Sequence, residues 1–300
     1  MLLESYEIHP VRTEIGDPRK RKLHENVRRA ISTIESSFSS PINIEGIDAT
    51  DLFSMNTLLG SAIEVSTVQT LRSLREVWDP DNEWVDYDFF RFPQSFPDVR
   101  LVRCEDIFSE PEIGIELKSW YLLSKEAEPS FRHRVTSSAC NPWDLFVIVP
   151  WSLSNVLSGT PIVYSPWIEQ AQYVSEMRNF YWLNTRKDGK PSPRDAVEIP
   201  DDVYAYPPPN SLISDKPLAD KGSNYGRIGR VHELVGSWTR QCLDIPLLGI
   251  KALDWVLFLK EHTESLTRSD LIEFQQEFDI DDLEDLAYQI LEFCDIQDEE

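Results

Sequence analysis

The sequence predicts a mixed α/β fold, a sheet-centred core followed by a helical C-terminal portion. Two observations predict it. Between residues 56 and 183 the apolar pattern runs helix, strand, strand, strand, helix, and beyond residue 230 it returns to helical spacing. A third supports them: 41% hydrophobic residues in a 300-residue chain, with nine tryptophans and fourteen phenylalanines, suffice to fill one large core or two small ones.

The elements follow in order. "LHENVRRAISTIESSF" (23–38) repeats apolar residues at helical spacing. "NTLLGSAIEVSTVQTLRSLREVW" (56–78) predicts a second helix, with Leu58, Ile63, Val68, Leu71 and Leu74 approximating one face and the turn "WDPDN" closing it. Two strand-like runs follow, "DVRLVRC" (98–104) and "IGIELKSWYLL" (113–123), joined by an acidic loop. "EAEPSFRHRVTSSACNPW" (126–143) reads as loop and short helix, and "DLFVIVPWSL" (144–153) as a strand buried on both faces. "PWIEQAQYVSEMRNFYWL" (166–183) reads as a helix with proline in its first turn. From Asn184 to about Arg230 the composition turns proline-rich and polar, an ordered loop or a linker. Helical patterns return at 231–243, 248–262, 267–278 and 281–293. The implied organisation is a helical segment (1–57), a core (58–185), a Pro-rich loop or linker (186–230) and a helical C-terminal segment with an acidic tail (231–300).

Composition restricts the function. No apolar run reaches membrane-spanning length, and the N-terminal residues are acidic where a signal peptide needs basic ones, so the expected location is cytoplasmic. Cys104, Cys140, Cys242 and Cys294 are scattered without a C-x-x-C pair and read as reduced structural thiols. The five histidines lack metal-ligand spacing, the glycines form neither a G-x-G-x-x-G nor a Walker pattern, and no G-x-S-x-G elbow occurs. A formal charge of −23 opposes long-range attraction to nucleic acid. The sign is unevenly distributed, however: a basic block spans Arg19 to Arg29 and acid clusters after Asp270. That acidic tail is a solvated helical face, or a surface that meets a partner or suppresses unspecific DNA binding.

Chemistry concentrates in the second and third apolar runs. Residues two apart on a strand share a face, so Glu116 and Lys118 project together while Ile115 and Leu117 project oppositely. If the two runs form a hairpin, Asp98 at the start of the first converges on them. Two nearby carboxylates repel each other in a partly buried site, and a divalent cation relieves that repulsion. Mg²⁺ suits such hard oxygen ligands and needs only one or two carboxylates. Lys118 then orients or deprotonates an attacking water, or offsets charge on a scissile phosphate. The alternative for the same residues is a solvated polar strand edge.

"FPD" followed by "IELK" resembles the PD-(D/E)xK signature of the restriction-endonuclease-like nucleases. Pro97 and Asp98 match its first element, and Glu116, Leu117 and Lys118 its second. The resemblance covers roughly Leu58 to Leu183 and is most like a type II restriction enzyme. It implies a central mixed β-sheet flanked by helices and Mg²⁺-dependent hydrolysis of phosphodiester bonds, with 5′-phosphate and 3′-hydroxyl products. It also implies a further acid from an upstream helix. Glu64 is the best position for it and Gln69 a second, although a lone helix carboxylate also serves simply as an arginine's partner. The expected substrate is double-stranded DNA, the expected assembly a homodimer or a subunit of a larger prokaryotic defence complex, with no membrane. RNA cleavage on the same site and a non-catalytic subunit retaining the fold are the alternatives.

Two basic loops are the remaining candidates. Lys125, Arg132, His133 and Arg134 follow the catalytic strand, and Lys221, Arg227 and Arg230 surround small residues before a helix; both groups suit phosphate contacts or are ordinary exposed charges. Trp143, Trp151 and Trp167 read as packing residues.

Overall fold

Asp17 starts the first long helix. Its carboxylate accepts from the backbone N–H of Arg19 at 2.8 Å, with Pro18 at the first helical position. The computed structural model describes residues 1–47, 49–93, 95–186, 193–208 and 210–263. After a short strand β1 (Leu2–Leu3) come α1 (Pro18–Ser32), α2 (Ile34–Ser37), α3 (Met55–Ser73) and α4 (Arg75–Trp78). Then follow β2 (Tyr87–Arg91), β3 (Val99–Arg103), β4 (Ile113–Tyr121), β5 (Leu145–Leu153), β6 (Pro161–Val163) and β7 (Trp167–Gln170). The chain continues through α5 (Ala171–Phe180), β8 (Val197–Glu198), β9 (Lys216–Pro217), α6 (His232–Leu243), β10 (Pro246–Leu247), β11 (Ile250–Lys251) and α7 (Ala252–Thr263).

The central sheet is mixed and has the order β2-β3-β4-β5-β6, with β7 also pairing β5. β2, β3 and β4 form an antiparallel meander, β4 and β5 run parallel, and β6 and β7 return antiparallel to β5. Every residue of β5 is buried, as its unbroken apolar run requires of a strand covered on both faces. One face of β4, carrying Ile115 and Leu117, packs with Val99 and Val147 against Ile31, Ile34, Thr67, Val68 and Leu71 of the N-terminal helices. Gly60 lets α3 lie close to β4, since a Cβ there would stand 2.9 Å from Ser119 Oγ. The opposite face is covered by α5, by α6 through Trp238 against Trp120, and by the long β4–β5 crossover. One hydrophobic cluster runs from Leu23 to Leu259. The coarse fold is therefore α/β, a mixed sheet between helices.

Several boundaries differ from the sequence expectation. The 56–78 pattern breaks at Leu74 into α3 and α4, and Leu58, expected on the buried face, is exposed. Tyr87–Arg91 is a strand with too weak an alternation to read. Residues 166–183 are not one helix: Trp167–Gln170 pairs with β5, and α5 begins only at Ala171. A hairpin of β10 and β11 occupies the start of the expected 248–262 helix. The Pro-rich segment is ordered where described. Its backbone pairs with the crossover, Arg132 opposite Arg227 and Val135 opposite Ser214. Helices expected at 267–278 and 281–293, the acidic tail and Cys294 lie outside the described residues. Cys104, Cys140 and Cys242 are free thiols. No helix among the described residues is long and apolar enough to cross a membrane.

Candidate active site

Strand register brings the acids together. Val99 lies opposite Ile115 and Arg100 opposite Gly114; continuing by one pair sets Asp98 opposite Glu116. Like charges directly opposite on a ladder are destabilising. Lys118, one side-chain repeat further along the same face of β4, answers both: its Nζ lies 2.6 Å from Asp98 Oδ2 and 2.8 Å from Glu116 Oε1. One ammonium thus bridges two cross-strand carboxylates and leaves one negative charge over.

The cluster is open on one side and closed on the other. The side chains of Asp98 and Lys118 are 19% and 21% exposed, and that of Glu116 only 9%. Glu116 Oε2 is buried without a hydrogen-bond partner. Burial pushes the Glu116 carboxyl up to about 7, with Lys118 opposing the shift and Asp98 adding to it. Burial pulls the Lys118 ammonium down, but the two carboxylates outweigh it and hold its pKa above the usual lysine value. Lys118 is accordingly a cation here. Of the roles that the sequence leaves open for it, orientation and charge offset suit an ammonium, whereas proton abstraction does not.

Glu64 projects from α3 toward the same cluster. Its Oε2 accepts from Arg91 Nη2 at 2.8 Å, so the arginine partnership foreseen for a lone helix acid is realised. Burial raises the Glu64 carboxyl, Lys118 and Arg91 lower it, and Asp98 raises it again. Glu64 therefore lies within the electrostatic reach of Lys118 and Asp98 while paired to Arg91. Gln69 is exposed and takes no part. Arg91 was not singled out in the sequence because it closes a strand that the pattern does not reveal.

The closed side is built by the crossover. His133 is buried with its Nδ1 4.0 Å from Glu116 Oε1 and its Nε2 3.0 Å from Ser175 Oγ. Arg178, itself buried, pairs with Asp215 and donates from Nη1 to the carbonyls of His133 and Val135, each at 3.0 Å. Gly226 accepts the His133 N–H at 2.8 Å. It needs to be glycine: its φ is +85° and a Cβ would meet the His133 carbonyl oxygen at 2.8 Å.

Comparison with protein-family models, with curated proteins and with solved structures gives no match. The functional reading rests on geometry.

The basic loops are brought together by that same pairing. Arg132 and Arg227 are cross-strand neighbours beside His133, and both reach solvent. Arg134 lies 3.8 Å from Asp220 and Arg230 3.7 Å from Glu128, so acids already engage these two. Lys125 and Lys221 are exposed on the flanking loops.

Fitness for a divalent ion is a question of donors. Among the described residues no three or more His, Cys, Asp or Glu side chains are grouped to hold a metal. Asp98 and Glu116 form a pair, however, and Mg²⁺ takes only one or two carboxylates and fills its remaining positions with water and phosphate oxygens. The unpartnered, buried Glu116 Oε2 is a hard donor with an unmet requirement. The pair fits Mg²⁺ at its minimum ligand number.

Proposed function

We propose that this chain is a Mg²⁺-dependent endonuclease that hydrolyses phosphodiester bonds in double-stranded DNA. The observation that carries the reading is the register that places Asp98 and Glu116 opposite each other with Lys118 between them. Asp98 and Glu116 would hold the ion, which when bound supplies charge stabilisation at the phosphate and acidifies a water. Lys118 offers a fixed ammonium to the charge that develops on the phosphate oxygens. Arg132 and Arg227 bind backbone phosphates flanking the reacting one, and Glu64, held by Arg91, orients water at the open side. The chain's acidity does not prevent this, because salt screens distant charge beyond about 8–10 Å. By its resemblance the enzyme works as a restriction enzyme or a nuclease subunit of a prokaryotic defence system, as a homodimer or within a larger complex.

Mg²⁺-dependent nicking of supercoiled plasmid is the direct test. Nicking is expected in the wild type and lost in Asp98→Ala and Lys118→Ala. Cleavage of RNA alone would reassign the substrate. No cleavage of either polymer with Mg²⁺ or Mn²⁺ would support the competing reading, a non-catalytic subunit, in which the Lys118 bridge is purely structural.

A further inference from the structure

We infer that His133 is a positioning residue for Glu116, a neutral imidazole whose Nδ1–H donates to the carboxylate and aims its free oxygen at the open side of the site. The inference starts from two unpartnered buried atoms, one on each of two neighbouring side chains. Among the described residues, His133 Nδ1 and Glu116 Oε2 are both buried without a hydrogen-bond partner, and Nδ1 stands 4.0 Å from the other oxygen of the same carboxylate. Buried polar atoms in native proteins are nearly always paired, so orphans on two neighbouring side chains point to a shared explanation. The gap is about 1 Å longer than a direct hydrogen bond. It is the length expected of a resting site, where Lys118 draws Oε1 away at 2.8 Å and contacts tighten only when the site is occupied.

The tautomer turns on the other ring nitrogen. Nε2 has Ser175 Oγ at 3.0 Å, a hydroxyl able to donate or accept; the inferred arrangement is the one in which it donates and the proton stays on Nδ1. The ring's orientation is held by its surroundings. Phe146 abuts it edge-to-face at 4.8 Å, Phe96 lies at 6.1 Å, and the backbone is fixed on one side by Gly226 O and on the other by Arg178. Burial disfavours the charged ring, and the cations Arg178 and Lys118 add to that effect. A neutral ring has one N–H to give. Phe96, whose ring lies 6.1 Å from that of His133, adjoins Pro97 and Asp98 in sequence, so the crossover also packs beside the strand start that carries Asp98. Restraining a ligating group from behind is worth about 10–100-fold in metal affinity at known sites.

For its effect on metal affinity the inference rests on the proposed hydrolase; the tautomer stands apart from it. The first measurement is ¹⁵N and ¹³C NMR of the His133 ring in the wild-type, metal-free protein, assigned by its loss in His133→Asn. The Nδ1–H tautomer is expected; the Nε2–H tautomer overturns the inference. The second is Mn²⁺ titration by calorimetry without DNA. His133→Asn keeps a donor near the Nδ1 position and is expected to bind within about twofold of wild type. His133→Gln carries its donor toward Ser175 and is expected to bind about tenfold more weakly. Equal affinities in the two variants would refute the positioning role. A wild type that binds no Mn²⁺ would remove the hydrolase reading, and the tautomer measurement would then decide the inference alone.

Discussion

Replacing Glu116 by glutamine separates the electrostatic cost of this site from its packing. The folded carboxyl is raised from an ordinary value of 4.5 to about 7, mainly by burial. Between those two values the folded state still holds a proton that the unfolded chain has released. Stability contributed by the protonated form is therefore present below about pH 4.5 and lost as pH rises toward 7. A gap of about two and a half pH units is worth ~3 kcal/mol, and at 9% side-chain exposure little of it is screened by solvent. Glutamine keeps an oxygen for Lys118 and carries no charge to bury. In metal-free buffer with EDTA, Glu116→Gln should match the wild type at pH 4.5 and exceed it at pH 8 by roughly 3 kcal/mol, about 5–6 °C in Tm for a chain of this size. Urea or thermal unfolding at the two pH values measures it. Mg²⁺ added at pH 8 should recover part of the difference for the wild type only. A gain independent of pH, or a loss at pH 8, would falsify the view that the site holds a carboxylate at a cost.

Three further outcomes follow from the surroundings. Arg132→Ala and Arg227→Ala should each weaken DNA binding without changing sequence preference and reduce the slope of log K against log salt by about 1, read by fluorescence anisotropy across a salt series; an unchanged slope removes both from the interface. Arg178→Met strands the buried Asp215 carboxylate and should cost about 3–5 kcal/mol in urea unfolding, with Arg178→Met/Asp215→Leu recovering a large part of it; additive losses would deny the pair. Gly226→Ala forces a side chain onto a left-handed backbone and against the His133 carbonyl, so a loss of about 2 kcal/mol is expected, and wild-type stability would show that the crossover is not held there.

How much of this was legible in the sequence depends on how local each signal is. β5 could be read from its nine-residue apolar run, because burial on both faces leaves no alternation to misjudge. The convergence of Asp98, Glu116 and Lys118 was legible too, since period-two geometry and one hairpin fix it. α5 was misread at its start because "WIEQ" continues a helical pattern across residues that pair with β5, and pairing with a distant strand is a tertiary fact. Arg91 was hidden because its partner Glu64 is 27 residues away on a helix. His133 was noticed only as one of several basic residues in "FRHR". Nothing local distinguishes a histidine buried behind a carboxylate from one aimed at solvent. The Pro-rich segment gave no hint that it would close over that histidine, because both the backbone pairing of Gly226 with His133 and the side-chain contacts of Asp215 with Arg178 and Asn179 join residues far apart in sequence.

Two cross-strand like-charge pairs of opposite sign occur in this fold, linked through His133, which follows Arg132 in the chain and lies 4.0 Å from Glu116. A cross-strand salt bridge that served stability would set an acid opposite a base. Here Asp98 stands opposite Glu116, with the Lys118 ammonium displaced to the next residue of that face, and Arg132 stands opposite Arg227 in an isolated bridge. Each arrangement costs free energy relative to an apolar or alternating pair. Among the described residues one ammonium, Lys118, answers two acids, and no carboxylate pairs with Arg132 or Arg227. In the proposed function a divalent ion would add positive charge at the acids, and a nucleic-acid phosphate would supply the anion for the arginines. Residues that break local rules in this coordinated way are expected where binding, rather than folding, supplies the compensation.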